Sequence, residues 1–189
     1  MQPSLALTRW IHDHYPYGDA LTHLKVQKLL FYCVGAAMAF DREHELGGEV
    51  VFQPWEHGPV NESVWHELKD FRGGAIPETA FARHGTRAYP EDVELPMKWA
   101  LQIYGALDAW KLRQQSHMEQ PWIDAYAMRQ HRICPQVMKT HFKQKFAGQT
   151  VYAPEHLQDP GTFTLDYLPV IGYESMKDLA ESIHLIYGQ

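Results

Sequence analysis

Apolar residues recur every three or four positions along most of the chain, which is the spacing of amphipathic helices and not of strands. The longest such pattern begins after Thr22, a residue type that caps helices well, and it predicts a helix over residues 23–41. Its apolar positions are Val26, Leu29, Leu30, Cys33, Ala37 and Phe40. Further helices are predicted over residues 3–15 and 91–104. Two more should begin at capping residues, one from Asn61 to Gly73 and one from Asp108 to residue 115. Prolines mark the first turns of the last two, which begin at Pro121 and at Pro135, the latter ending at residue 146.

Helix-breaking residues separate these segments. Gly47-Gly48 interrupts the chain, residues 49–52 are predicted to be extended, and Gly58-Pro59 forces a bend soon afterwards. Residues 75–90 have the composition of a loop that could contain one more strand. The pattern therefore predicts a mainly α fold, a compact multi-helix domain with a few short strands over residues 1–147.

The composition changes after this domain. From residue 148 onward, prolines and glycines alternate with short β-prone runs such as residues 162–165. The chain then ends in an amphipathic helix predicted over residues 176–187, which Ser175 and Asp178 would cap. We expect residues 148–189 to form a C-terminal extension packed on the same domain.

Composition fits a packed protein and limits its partners. The chain has 189 residues, of which 45% are apolar and 13% aromatic, enough to bury the core of one domain. The net charge is −6, and lysine and arginine are not clustered on one segment, so we expect no nucleic-acid partner. The mild overall acidity would favour the steering of a basic partner.

Neither a membrane nor an oxidising compartment is indicated. The longest apolar run, residues 29–40, is well short of the roughly 20 residues needed to cross a bilayer. No secretory signal is recognisable at the start, and two cysteines, Cys33 and Cys134, form neither a disulfide framework nor a metal pair. We expect a cytoplasmic protein without a cofactor, in which Cys33 is an inert core residue.

The turn at residues 55–60 has two interpretations. Glycine permits positive φ and proline fixes φ, so Gly58 and Pro59 should form a rigid corner next to Trp55. Such a corner suits the presentation of a contact surface, and it equally suits the packing of two helices. On the preceding helix, Lys25 and Lys28 are expected to be solvated.

Residues 116–122 invite a chemical interpretation as well as a structural one. His117 and Glu119 could form an acid–base pair or bind a metal, although no third ligand lies at a recognisable spacing. The structural alternative is a helix junction, with one helix ending near Ser116 and the next beginning near Pro121. In that case His117 and Glu119 would bond the exposed backbone groups between the two helices.

Three segments, taken in order, resemble one family. They are LTHLKVQKLLFY at residues 21–32, FQPWEHGPV at residues 52–60, and SHMEQPW at residues 116–122, which is preceded by Tyr104-Gly105 and Leu112 and followed by Ala125. At this spacing they resemble the Panacea domain, which is found in bacterial and phage antitoxins and in a related adaptor that delivers a toxin to a protease. Pro54, Trp65 and Tyr126 depart from the residues usual in the family.

The resemblance implies a protein-binding function. It implies a mostly helical domain that neutralises a toxin by direct contact, with the toxin encoded by an adjacent gene. The alternative is a proteolysis adaptor that delivers a toxin or another client to a bacterial protease, and a weaker one is a metal-dependent enzyme centred on His117 and Glu119. The predicted partner-binding residues are Trp55, His57, Gly58, Pro59, Val60, Trp65, Trp110, His117, Glu119, Pro121 and Trp122.

Overall fold

The structure is a computed structural model that describes residues 2–146. In this part of the chain the helices are α1 (Pro3–His14), α2 (His23–Ala39), α3 (Glu62–Leu68), α4 (Glu78–Phe81), α5 (Glu91–Gly105), α6 (Ala109–Ser116), α7 (Gln120–Ala127) and α8 (Pro135–Lys145). Two strands, β1 (Gln53–Trp55) and β2 (Gly58–Val60), form an antiparallel hairpin, and short 3-10 turns occupy Glu43–Leu46 and Lys69–Phe71. The mainly α fold predicted from the sequence is confirmed.

Helix α2 is the centre of the domain. Helices α1, α5, α6 and α8 and strand β2 pack around it, so every residue from 25 to 38 is buried. A helix enclosed on all sides is expected to be apolar around its whole circumference, and most of α2 is. Lys25, Gln27 and Lys28 are the buried polar exceptions, and the expectation that the two lysines would be solvated is wrong. Lys25 pairs with Asp19 at 2.7 Å, and Lys28 bonds the hairpin that covers it.

The predicted helix starts are confirmed where a side chain caps the helix. The Thr22 hydroxyl accepts from the backbone N–H of Lys25, and the Asn61 side chain accepts from that of Val64. Asp108 accepts from two backbone N–H groups at the start of α6. These bonds satisfy donors that a helix leaves without an internal partner, so the capping residues can be identified from sequence alone.

The sequence predicted the extended segments less accurately than the helices. The strand lies at Gln53–Trp55, not at residues 49–52, because the backbone of the earlier segment is held by other partners. The carbonyl of Phe52 accepts from the N–H of Ile133, and that of Val51 accepts from the Asn61 side chain. Residues 75–90 contain helix α4 and one isolated bridge at Ala75.

Helix α8 approaches α2 closely at Gly35. A Cβ built on Gly35 would lie 2.6 Å from Cδ2 of Phe142, so only glycine leaves room for that ring. Helix α8 ends at Lys145, and the predicted C-terminal extension, with its strand and terminal helix, lies outside the described residues. No helix in the described range is long and apolar enough to cross a membrane.

Candidate functional site, a hairpin held by helices α2, α6 and α7

The hairpin is attached to the helices mainly through its backbone. Nζ of Lys28 donates to the Pro59 carbonyl at 2.9 Å, and the indole N–H of Trp122 donates to the Trp55 carbonyl at 3.0 Å. The Gln27 side chain bonds both the N–H and the carbonyl of Asn61, the residue that follows β2. Because these bonds reach backbone atoms, they fix the path of the hairpin whatever side chains it carries.

Gly58 allows the hairpin to approach the helices. Its φ is +91°, in the region that favours glycine, and a Cβ there would lie 2.6 Å from Oγ of Ser116 and 2.9 Å from Nζ of Lys28. The rigid corner predicted from Gly58 and Pro59 therefore exists, and it packs directly on α2 and α6. One side of this corner is buried against the helices, whereas the tip residues Glu56 and His57 are exposed.

Lys28 is a buried cation without a carboxylate partner among the described residues. Its one hydrogen bond goes to the Pro59 carbonyl, and the side chain is fully buried. Burial lowers the pKa of Lys28 to about 7, and the nearby charge of Arg113 adds to the effect. The ammonium group is therefore close to its titration point at neutral pH.

Arg113 projects from α6 toward the hairpin tip. Its Nε donates to Nδ1 of His57 at 3.2 Å, and its guanidinium carbon lies 5.7 Å from the centre of the Trp110 ring. Trp110 is 65% exposed although it is a large aromatic residue. The hairpin tip and α6 thus share one surface.

His117 continues this surface toward α7. Its ring stacks on Trp122 with centroids 4.1 Å apart, and Trp122 stacks in turn on Tyr126 at 4.8 Å. Burial lowers the pKa of His117 to about 4, and the charges of Arg113 and Lys28 act in the same direction. His117 is therefore neutral at physiological pH.

Glu119 lies in a separate buried cluster. Its carboxylate accepts from the Tyr32 hydroxyl at 3.0 Å and from Nζ of Lys145 at 2.7 Å, and it pairs with Nε2 of His141 at 2.6 Å. Burial raises the pKa of Glu119, but the hydrogen bond with His141 and the charge of Lys145 outweigh that effect, so the pKa lies below its usual value. The cluster ties the start of α7 to α2 and α8.

The junction between α6 and α7 was predicted correctly in position but not in its bonds. Helix α6 ends at Ser116 and α7 begins at Gln120, as expected. The expectation that His117 and Glu119 bond the backbone groups of the junction is wrong. The His117 ring stacks on Trp122, and its Nε2 has no hydrogen-bond partner within residues 2–146. The Glu119 side chain makes no capping bond because its oxygens are taken by buried partners.

The two residues of the metal or acid–base hypothesis do not share a partner. Glu119 contacts Tyr32, His141 and Lys145, whereas His117 contacts Trp122 and the backbone of Glu56. Within residues 2–146, no three His, Cys, Asp or Glu side chains are grouped so that they could hold a metal ion. Burial raises the pKa of the Cys33 thiol, as expected for a core cysteine.

The predicted partner-binding residues divide into an exposed and a buried group. Trp110 and His57 are exposed, and Trp55, Trp65 and His117 are half-buried, with the Trp55 and Trp65 rings 5.3 Å apart. The buried group supports the surface from below and comprises Gly58, Pro59, Val60, Glu119, Pro121 and Trp122.

Some exposed residues were missed by the sequence analysis. Met118, Tyr126 and Met128 are exposed apolar side chains at the ends of α6 and α7, and Arg113 joins Trp110 to His57. The helical spacing of Trp110, Arg113 and His117 could have revealed a shared face of α6. We define the α6–α7 surface as His57, Trp110, Arg113, His117, Met118 and Tyr126.

Comparison with known proteins identifies the family. The family model described as "Antitoxin SocA-like, Panacea domain" matches residues 26–123, more than half of the chain. This range contains most of α2, the hairpin, α6 and the start of α7. Searches of curated proteins and of solved structures found no match. The chain belongs to the family of SocA-like antitoxins with a Panacea domain.

Proposed function

We propose that this protein is an antitoxin that neutralises a cognate toxin by binding it directly, in the cytoplasm of the cell that makes both. The observation that carries the proposal is the α6–α7 surface, where exposed aromatic and methionine side chains adjoin the hairpin. Trp110, Met118 and Tyr126 are 65%, 59% and 44% exposed. Large aromatic residues of this kind supply most of the binding energy at protein interfaces.

Contacts within the chain already order the side chains of the α6–α7 surface in the absence of a partner. Tyr126 stacks on Trp122, which is buried and bonds the Trp55 carbonyl. Trp110 is contacted by Arg113, which is itself bonded to the hairpin tip. A surface whose side chains are already ordered loses less conformational entropy on binding, so its contacts contribute more to affinity.

A binding function accounts for His117 and Glu119 better than catalysis does. The two side chains have separate partners, and Glu119 is engaged by a tyrosine, a histidine and a lysine. In this proposal Glu119 holds α7 in place, and His117 supports Trp122 by stacking. Neither residue needs to act on a substrate.

The test is growth rescue followed by measurement of affinity. The product of the adjacent gene is expressed with and without this protein, and the two are then purified together. Replacement of Trp110 or Tyr126 by alanine should weaken binding by about 2 kcal/mol or more, while thermal stability stays near that of the parent. Val137→Ala, at an exposed apolar position on α8 outside this surface, is the matched control.

The same experiment separates neutralisation from delivery. Rescue in a host lacking its cytoplasmic proteases is expected if the complex itself blocks the toxin. Rescue that disappears in that host would instead assign the protein to the adaptor function. A harmless neighbouring gene product that does not copurify would rule out the proposal for that partner.

A further inference from the structure

In the part of the chain that the structure describes, the positive charge of Arg113 near the hairpin tip is not balanced by a neighbouring acidic group. Within residues 2–146, no carboxylate lies within 4.0 Å of the Arg113 guanidinium. Lys111, two positions earlier on the same helix, does have such a partner, since its Nζ lies 3.7 Å from Asp108. Among the described residues, Arg113 therefore differs from Lys111 in having no counter-ion.

A second basic group lies near Arg113. Lys28 has no carboxylate partner within residues 2–146, and in its protonated form its charge opposes that of Arg113. Among the described residues, the charge of Arg113 is therefore not compensated locally, although the whole chain carries a net charge of −6.

Arg113 is oriented for a ligand. Its Nε is bonded to His57, which leaves the two terminal nitrogens for another acceptor. The planar end of an arginine side chain matches the two oxygens of a carboxylate, which it can bind through parallel hydrogen bonds. Trp110 stands beside the guanidinium as an exposed apolar wall, and a partner that covers it would exclude water from the ion pair.

We propose that Arg113 binds the carboxylate of an aspartate or glutamate on the partner protein, with Trp110 and His57 forming the sides of this anchor site. The inference rests on the proposed function and names the chemistry of the partner at the same surface. A protein carboxylate fits better than a nucleic-acid phosphate backbone, which is bound by several cations in a row. Near Arg113, Lys111 is paired with Asp108 and Lys28 is fully buried.

The first test compares two basic residues of α6 in the toxin complex. Arg113→Gln should weaken the affinity for the purified toxin at least about 10-fold, because the partner carboxylate loses its counter-ion. Lys111→Gln, which removes an equal charge from the same helix, should change the affinity less than about 3-fold. Arg113→Lys should recover only part of the loss, since an ammonium group cannot form the two parallel bonds.

Charge reversal then identifies the partner group. The Arg113→Glu variant is combined with single Asp→Arg or Glu→Arg variants of the toxin, and one of these should restore binding. If wild-type protein neutralises the toxin and Arg113→Gln binds it as tightly as wild type, the inference is overturned while the proposed function stands. The inference is also overturned, and the proposed function stands, if no charge-reversed toxin variant restores binding to Arg113→Glu.

A second probe keeps the inference testable if the neighbouring gene product is harmless. The full chain is titrated with the capped peptide acetyl-Glu-Leu-Glu-amide while the Arg Nε–H and Trp indole signals are followed by NMR. Shifts at Arg113 and Trp110 that are absent with acetyl-Lys-Leu-Lys-amide and absent in Arg113→Gln would support the site. No shift with the acidic peptide, or a larger one with a single-stranded DNA oligonucleotide, would overturn it.

Discussion

Replacement of Gly58 by alanine should destabilise the domain far more than a comparable replacement elsewhere. The residue has a φ of +91°, which costs an alanine about 1–2 kcal/mol. The added Cβ would also lie 2.6 Å from Oγ of Ser116 and 2.9 Å from Nζ of Lys28. Since both groups are fully buried, one must give up its hydrogen bond to a backbone carbonyl, which costs roughly 1–3 kcal/mol. The two effects together lower the free energy of unfolding by about 2–5 kcal/mol.

Urea denaturation followed by tryptophan fluorescence measures this loss as a shift in midpoint at constant slope. Gly73→Ala is the matched control, because its Cβ would meet nothing within 4 Å, and it should stay within about 0.5 kcal/mol of wild type. In the background of Ser116→Ala, which removes the nearer obstacle, the effect of Gly58→Ala should shrink by about 1 kcal/mol. A Gly58→Ala protein as stable as the control would refute the reasoning.

Three further replacements test other parts of the packing. Lys28→Met should remove the cost of burying a charge, which is full below pH 7 and disappears as the pH rises toward 10.5. In urea titrations from pH 6 to 10, the free energy of unfolding of wild type should therefore rise relative to that of the variant, by at most about 1.4 kcal/mol per pH unit. Stability curves that run parallel over this pH range would contradict the prediction. Glu119→Ala should lower the free energy of unfolding by about 3 kcal/mol near pH 7, because a buried ion cluster loses its acid, and equal stability in urea would be inconsistent with the cluster. Gly35→Ala should cost about 1–2 kcal/mol, because overlap with Phe142 exceeds the gain in helix propensity, and an unchanged melting temperature would show that the ring can move aside.

The helices were predictable because their determinants are local. Thr22, Asn61 and Asp108 each bond a backbone group two or three residues away, so the cap and the start of the helix are adjacent in the sequence. The α6–α7 junction was located for the same reason, since Pro121 fits only the first turn of the following helix. The starts of these helices, which depend on neighbouring residues, were therefore predicted correctly.

The bonds of the candidate site depend on residues far apart in the sequence. Glu119 is separated from Tyr32 by 87 positions and from His141 by 22, and no local pattern connects them. Lys28 looked solvated because nothing in its own segment shows that the hairpin covers it 31 positions later. Family resemblance indicated which segments matter, but not that Glu119 and Lys28 are buried within them.

The attachment of the hairpin through its carbonyls has a consequence for how partner choice can change. Lys28 and Trp122 hold Pro59 and Trp55 by backbone atoms, so these bonds place no demand on the side chains of the exposed residues Glu56 and His57. Glu56 and His57 could therefore be randomised in a library without loss of the domain. A single scaffold would then supply many recognition sequences, much as an antibody framework carries interchangeable loops.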